Sequence, residues 1–515
     1  MTEDERKQKN AICDHLMHEG IDGRDDADAV PRICVLTQFA GELGRKDAIA
    51  CALGWYEDLD KRGISGEQAV ALDYQRANAI ANERYGTEWK WEQATLAREI
   101  FFLRRAISSP FFAGCDTDLK CMCLNNLGNR LRVAGREIEA LDCWRKVLEL
   151  QPNFGMSLSN RARVLTAYAG AFENQDEKSL FLWAAHREAS AAIAPTALYA
   201  AVENDERNRS KTKELKEWIE SILDVKAIDA ISPLKGQEDS GTGEEREYRD
   251  WCLANRLYLN LINDLGEHRV AAADTIGLAT HVVPVDSPHI FESFFDQMKQ
   301  EYVSARWSLY EGLHTRAPHF SDKDTLVYAT EPRPSLCLAV EQVKGAYRTS
   351  YSLFDKIGFF VNAYMELGIP ERQVTFRTLW RPDERQPIRR EFDQTGNWGF
   401  CALYWLSKDF FEKTSDEVAE PQARGLSEIR NSLEHKYLRV TAGESPTAPP
   451  QDLALMVPRS QLEAKALHLL KLVRAALIYL AIGVRFEEQR REPSRVGMTL
   501  DELSPTAYLP DDEKI

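Results

Sequence analysis

The sequence predicts an all-α protein in two parts, a helical repeat array in the N-terminal half and a helical bundle in the C-terminal half. Three observations predict it. Apolar residues recur at three- and four-residue spacing along nearly the whole chain, while alternating strand patterns are scarce. The 515 residues exceed what one hydrophobic core supports, so two or three domains are expected. The stretch 232–246 (SPLKGQEDSGTGEER) is polar, acidic and glycine-bearing, as a flexible linker is. The expected boundaries are 1–231 for the array, 232–246 for the linker, 247–286 for a connecting helical segment, 287–491 for the bundle and 492–515 for a polar tail.

Net charge is −16, which argues against a general nucleic-acid or membrane coat but leaves room for a local basic groove. The N-terminus MTEDERKQKN has no apolar signal region. The longest strongly apolar run, Ala475 to Val484, is too short to span a bilayer. A cytoplasmic protein without a membrane partner is expected. Most of the ten cysteines sit singly inside helical patterns, as reduced apolar side chains do. Cys115, Cys121 and Cys123 cluster, but lack a second ligand pair at finger spacing, so no metal is expected.

Within the array the best-defined unit runs from Cys121 to Pro152. Leu127 and Leu131 share one helix face, and after Ala134-Gly135 a second helix aligns Ala140, Trp144 and Val147. Gly128 and Ala140 are small where the two helices must approach. This unit resembles a tetratricopeptide repeat, which needs neighbours to bury its face. Neighbours are expected at 48–61, 69–85, from Ala97 towards Pro110, and from Ala162 to Pro195. The resemblance implies a protein or peptide ligand on the array.

From about Ser287, long amphipathic helices are expected at 291–314, 336–367, 398–413, 422–440 and 461–490. The fourth carries Arg430-Asn431-Ser432-Leu433-Glu434-His435-Lys436-Tyr437. On a helix of about 100° per residue, Leu426, Ile429, Leu433 and Val440 form the buried stripe. Arg430 and Tyr437 then lie on its shoulder, and His435 points about 140° away from Arg430, over Asn431. Glu434 is an i, i+4 neighbour of Arg430 and is expected to pair with it.

This octapeptide resembles the RxxxxH signature of the HEPN superfamily, many of whose members are metal-independent ribonucleases. The favoured asparagine follows the arginine, and the variant with tyrosine two residues after the histidine also belongs to that superfamily. Ser350 to Asn362 and Asn397 to Phe410 are similar to a bacterial branch in which tetratricopeptide-like repeats precede the domain. The resemblance implies RNA as substrate, a homodimer through the HEPN domain with a composite cleft, no cofactor, and a toxin or antiviral defence role restrained by the array. It implies catalytic roles for Arg430, Asn431 and His435, with support from Tyr437, Glu434 and Asp355. The chemistry suits them: a histidine moves protons near neutral pH, and an arginine fork meets a charged phosphorus centre.

Other residues fit less directly. Arg381, Arg389 and Arg390 lie with Trp380 in an arginine-rich stretch that suits a phosphate backbone, although neighbouring acids also suit a solvated loop. Asp355 and Asn362 share a helix face and suit buried structural hydrogen bonds. The same motif residues would equally furnish a solvated helix surface, which leaves a non-catalytic scaffold as the alternative.

Overall fold

The computed structural model describes residues 2–84, 91–171, 174–199, 202–235, 241–278, 282–284, 290–315, 317–328, 333–383, 386–393, 396–410, 419–443, 454–491 and 500–502. The chain divides into two units, one of residues 1–233 with 414–421, the other of 234–413 with 422–515.

The first unit is an array of helices: α1 (Glu3–Glu19), α2 (Asp26–Leu43), α3 (Lys46–Arg62), α4 (Glu67–Arg84), α5 (Ala94–Ser108), α6 (Thr117–Val133), α7 (Glu137–Leu150), α8 (Gly155–Ala169), α9 (Gln175–Ala192), α10 (Val202–Ile222) and α11 (Val225–Ile231). The starts of α2, α6 and α9 follow from capping side chains. Asp25, Asp116 and Asn174 each accept a first-turn N–H, at 3.0, 2.7 and 2.8 Å. At the other end, Gly44 and Gly63 take left-handed φ of 69° and 70° and stop α2 and α3.

In the central pair the small residues serve the expected purpose. A Cβ on Gly128 would come within 2.5 Å of Trp144 Nε1, so α6 and α7 meet only because residue 128 has none. Trp144 is fully buried and donates from Nε1 to the Asn125 carbonyl at 3.3 Å. Glu99 on α5 is also fully buried, held at 2.8 Å by both Arg84 of α4 and Arg130 of α6. One buried carboxylate thus ties three successive helices. Cys115, Cys121 and Cys123 are buried thiols whose pKa burial raises. To this unit the later chain adds Ala419 and Glu420. Arg104 Nη1 donates to the Ala419 carbonyl at 3.2 Å and lies 3.4 Å from Glu420 Oε2.

The second unit begins with α12 (Gly243–Ala254), capped by Thr242, so the expected linker already ends in helix. The connecting segment expected to be helical over 247–286 leaves the helix after Ala254, takes a φ of 56° at Arg256, and forms a 3-10 turn at Leu261–Asp264. Then come β1 (Val282–Pro284), α13 (Ile290–His314), α14 (Leu338–Tyr364), α15 (Arg390–Asp393), α16 (Trp398–Ser407), α17 (Ala423–His435), β2 (Tyr437–Thr441), β3 (Ala454–Pro458), α18 (Arg459–Arg491) and β4 (Leu500–Glu502).

α18 is the core of this unit. It contains the apolar run read as too short to span a membrane, yet the whole helix is long and apolar enough to do so. Its most apolar stretch is 83% buried among the other helices, which accounts for that composition. α16 crosses it through glycine: a Cβ on Gly399 would stand 2.5 Å from the Gly483 nitrogen. Asn397 secures the crossing, capping α16 while its Nδ2 donates to the Gly483 carbonyl at 2.7 Å.

Two buried arginines hold the irregular segment after α12. Arg474 of α18 donates to the carbonyls of Tyr258 (2.6 Å) and Asn260 (2.9 Å) and to Asp264 Oδ1 (2.8 Å). Arg306 of α13 grips both oxygens of Asp274, at 2.8 and 2.7 Å, and the Leu257 carbonyl at 2.9 Å.

The helix expected over 422–440 is corrected. α17 ends at His435, Lys436 turns to an extended conformation (φ −137°, ψ −155°), and β2 pairs in parallel with β3 from Tyr437↔Ala454 to Thr441↔Pro458. Val440 is buried as expected, but from a strand, where its carbonyl accepts from Ser335 N at 2.7 Å.

Candidate functional site

The motif residues gather at the C-terminal end of α17. Leu426, Ile429 and Leu433 are buried, and Leu426 lies beneath α14, whose Tyr347 hydroxyl donates to its carbonyl at 2.8 Å. This anchoring turns the opposite face outward. Asn431, Glu434, His435 and Lys436 are exposed, and Tyr437 is 47% exposed. His435 therefore presents its imidazole to solvent at the last helical position, on the face the periodicity assigned to it. Tyr437 does not share that helix. It opens β2, so its expected register with Arg430 fails and it reaches the surface from a strand.

Arg430 is half-buried and held from two sides. Its guanidinium carbon lies 5.5 Å from the centre of the Tyr351 ring on α14, and Nη1 donates to Asn431 Oδ1 at 3.2 Å. Tyr351 sits edge-on to Phe410, and burial pushes its phenol up to about 12. Asp355 lies one turn further along α14. Burial raises its carboxyl above the usual carboxylate range, and the charge of Arg430 opposes that rise. Arg430 and Asp355, far apart in sequence, thus belong to one cluster.

Glu434 faces α14 instead of only its own helix: Arg348 Nε is 3.8 Å from Glu434 Oε1, and Arg348 Nη2 donates to the Leu433 carbonyl at 2.9 Å. Arg348, Tyr351 and Asp355 recur at i, i+3 and i+7 on α14. Two of the three were not singled out from the sequence, although that spacing on one face was readable.

Part of the arginine-rich stretch is tied to the fold. Trp380 is 1% exposed and donates to the Phe376 carbonyl at 2.8 Å, so its ring is no stacking platform for a base. Arg389 donates to the Leu379 carbonyl at 2.9 Å and Arg381 to the Tyr404 hydroxyl at 3.0 Å, while Arg390 is exposed. Arg385 lies outside the described residues. Asn362 closes the turn after α14, exchanging hydrogen bonds with the Ile369 backbone at 3.1 Å in each direction. No group of three or more metal-ligating side chains occurs among the described residues.

Residues 283–487 match the family model for LA2681-like HEPN domains. The match spans α13 to nearly the end of α18, includes Arg430 to Tyr437, and supports HEPN membership for this bundle; the tetratricopeptide-like character of the array rests on its helices alone. No curated protein and no solved structure matches the chain.

Proposed function

We propose that the protein is an endoribonuclease that cleaves RNA through attack of a 2′-hydroxyl, with its site at the end of α17. One observation carries this reading: His435 is exposed at a helix end five residues after an Arg430 seated on Tyr351, within a stretch that matches a HEPN domain. In the reaction a base removes the 2′-hydroxyl proton, the oxygen attacks phosphorus, and the 5′-oxygen departs with a proton from an acid. His435 serves in proton transfer, Arg430 meets the charge that develops on the phosphoryl oxygens, and Asn431 holds Arg430 in place.

A single exposed histidine supplies one of the two proton-transfer roles. A second copy of the chain, docked through the HEPN domain, supplies the other, so the active species is a homodimer. The repeat array takes a protein or peptide ligand, as helical repeat arrays commonly do. A cytoplasmic effector, toxic or defensive and released by such a ligand, fits this arrangement, and no metal takes part.

The test is cleavage of a defined RNA and of the same strand with one 2′-deoxy residue at the scissile position. A 2′,3′-cyclic phosphate end from the first and an intact second strand are expected. Cleavage of both overturns the mechanism.

A further inference from the structure

Glu434 is the one acidic residue between Arg430 and Tyr437, and it adjoins the imidazole that must meet a phosphate. Its carboxylate is 40% exposed, so an unneutralised charge there would stand on the face RNA approaches. Arg348 answers it from α14. It approaches Glu434 at 3.8 Å, and its second branch holds the Leu433 carbonyl, a last-turn acceptor without a partner inside the helix. The Arg348 side chain is itself 43% exposed, so it also faces the solvent from which RNA arrives.

We infer that Arg348 is a positioning residue for RNA: it neutralises Glu434 and fixes the last turn of α17, leaving Arg430, Lys436 and His435 to meet the phosphates. The inference rests on the ribonuclease reading above, and it assigns a role to a residue outside the RxxxxH signature. Lys436 and Arg430 alone would leave the face with a local carboxylate, whereas Arg348 removes it and adds a guanidinium at the edge. Substituting Arg348 therefore costs twice, through the lost cation and through the exposed anion.

The experiment uses the full-length protein and a fluorescent RNA carrying 2′-O-methyl groups throughout, which cannot undergo 2′-hydroxyl attack. Binding is read by anisotropy across a salt series. Arg348→Ala is expected to weaken binding about 5- to 20-fold at low salt, with the loss shrinking as salt rises. Arg348→Lys, which keeps the charge, is expected to lose about 3-fold or less. Glu434→Gln alone is expected to change affinity less than about 2-fold, yet to restore Arg348→Ala to within about 3-fold of the parent. That non-additivity separates charge neutralisation from a merely structural role, because a helix loosened by losing its carbonyl partner would not be repaired at Glu434. Binding that Arg348→Ala leaves unchanged, or that Glu434→Gln fails to restore, overturns the inference alone. Absence of RNA binding by the parent overturns the ribonuclease reading, and the inference with it.

Discussion

Gly399→Ala tests the crossing on which the second unit is built. The added Cβ would lie 2.5 Å from the Gly483 nitrogen and 2.7 Å from the Tyr479 carbonyl oxygen, where ordinary contacts begin near 3.4 Å. Both obstacles are backbone of α18, so no side chain can swing aside and the helices must part by most of an ångström. Overpacking of this kind costs about 1–3 kcal/mol. Helix propensity offers at most about 1 kcal/mol in return, and less in the first turn of α16 where Gly399 lies. A net loss of about 1–2 kcal/mol corresponds to a fall in Tm of roughly 2–8 °C for a unit of this size. Gly345→Ala on α14 is the control: a Cβ there meets nothing within 4 Å, so the same substitution is expected to be neutral or to raise Tm. Melting followed by tryptophan fluorescence reports on the crossing, because Trp398 and Trp405 lie on α16. If Gly399→Ala melts at or above the wild-type temperature, the close approach of α16 and α18 is refuted.

Three further outcomes follow from side chains. Tyr351→Leu removes the aromatic seat beneath Arg430, worth about 0.5–1 kcal/mol, and is expected to lower kcat/KM for RNA about 2- to 5-fold; an unchanged rate would remove Tyr351 from the site. Arg474→Met strips Asp264 of a buried partner and removes a donor from the carbonyls of Tyr258 and Asn260, an expected loss of about 3–5 kcal/mol in denaturant titration, partly recovered by Asp264→Asn. Burial raises Glu137 in the array from the usual carboxylate value to about 8, so the folded state favours the protonated form. Its contribution to stability is full below about pH 4.5 and lost as pH rises through about 8. Glu137→Gln is expected to match wild type at pH 5 and to melt at a higher temperature at pH 9; equal melting at both would show the carboxylate to be solvated.

Most of the helices were legible because their apolar spacing is local. Gly128, Ala140 and Trp144 could be placed from one stretch of sequence, and their packing follows from side-chain size. What escaped the reading depends on partners distant in the chain. β2 was read as helix because Val440 falls on the helical stripe of Leu426, Ile429 and Leu433, while its partner strand begins at Ala454, beyond a proline-rich interval. Arg306 and Arg474 look like surface cations until the carbonyls and carboxylates of 257–274 close on them. Trp380 looked like a stacking residue among arginines, yet the core claims it. For the candidate site, the outward face of His435 was readable from 3.6-residue periodicity, and its end-of-helix setting was not. The α14 cradle of Arg348 and Tyr351 needed the two helices side by side.

The most direct test of the site is RNA cleavage by full-length wild type and by His435→Ala, with a chelator present and matched melting curves. Cleavage by wild type and a loss of at least about 100-fold in the variant are expected from removal of a proton-transfer group. Equal cleavage by both proteins would contradict the assignment of the site to the end of α17.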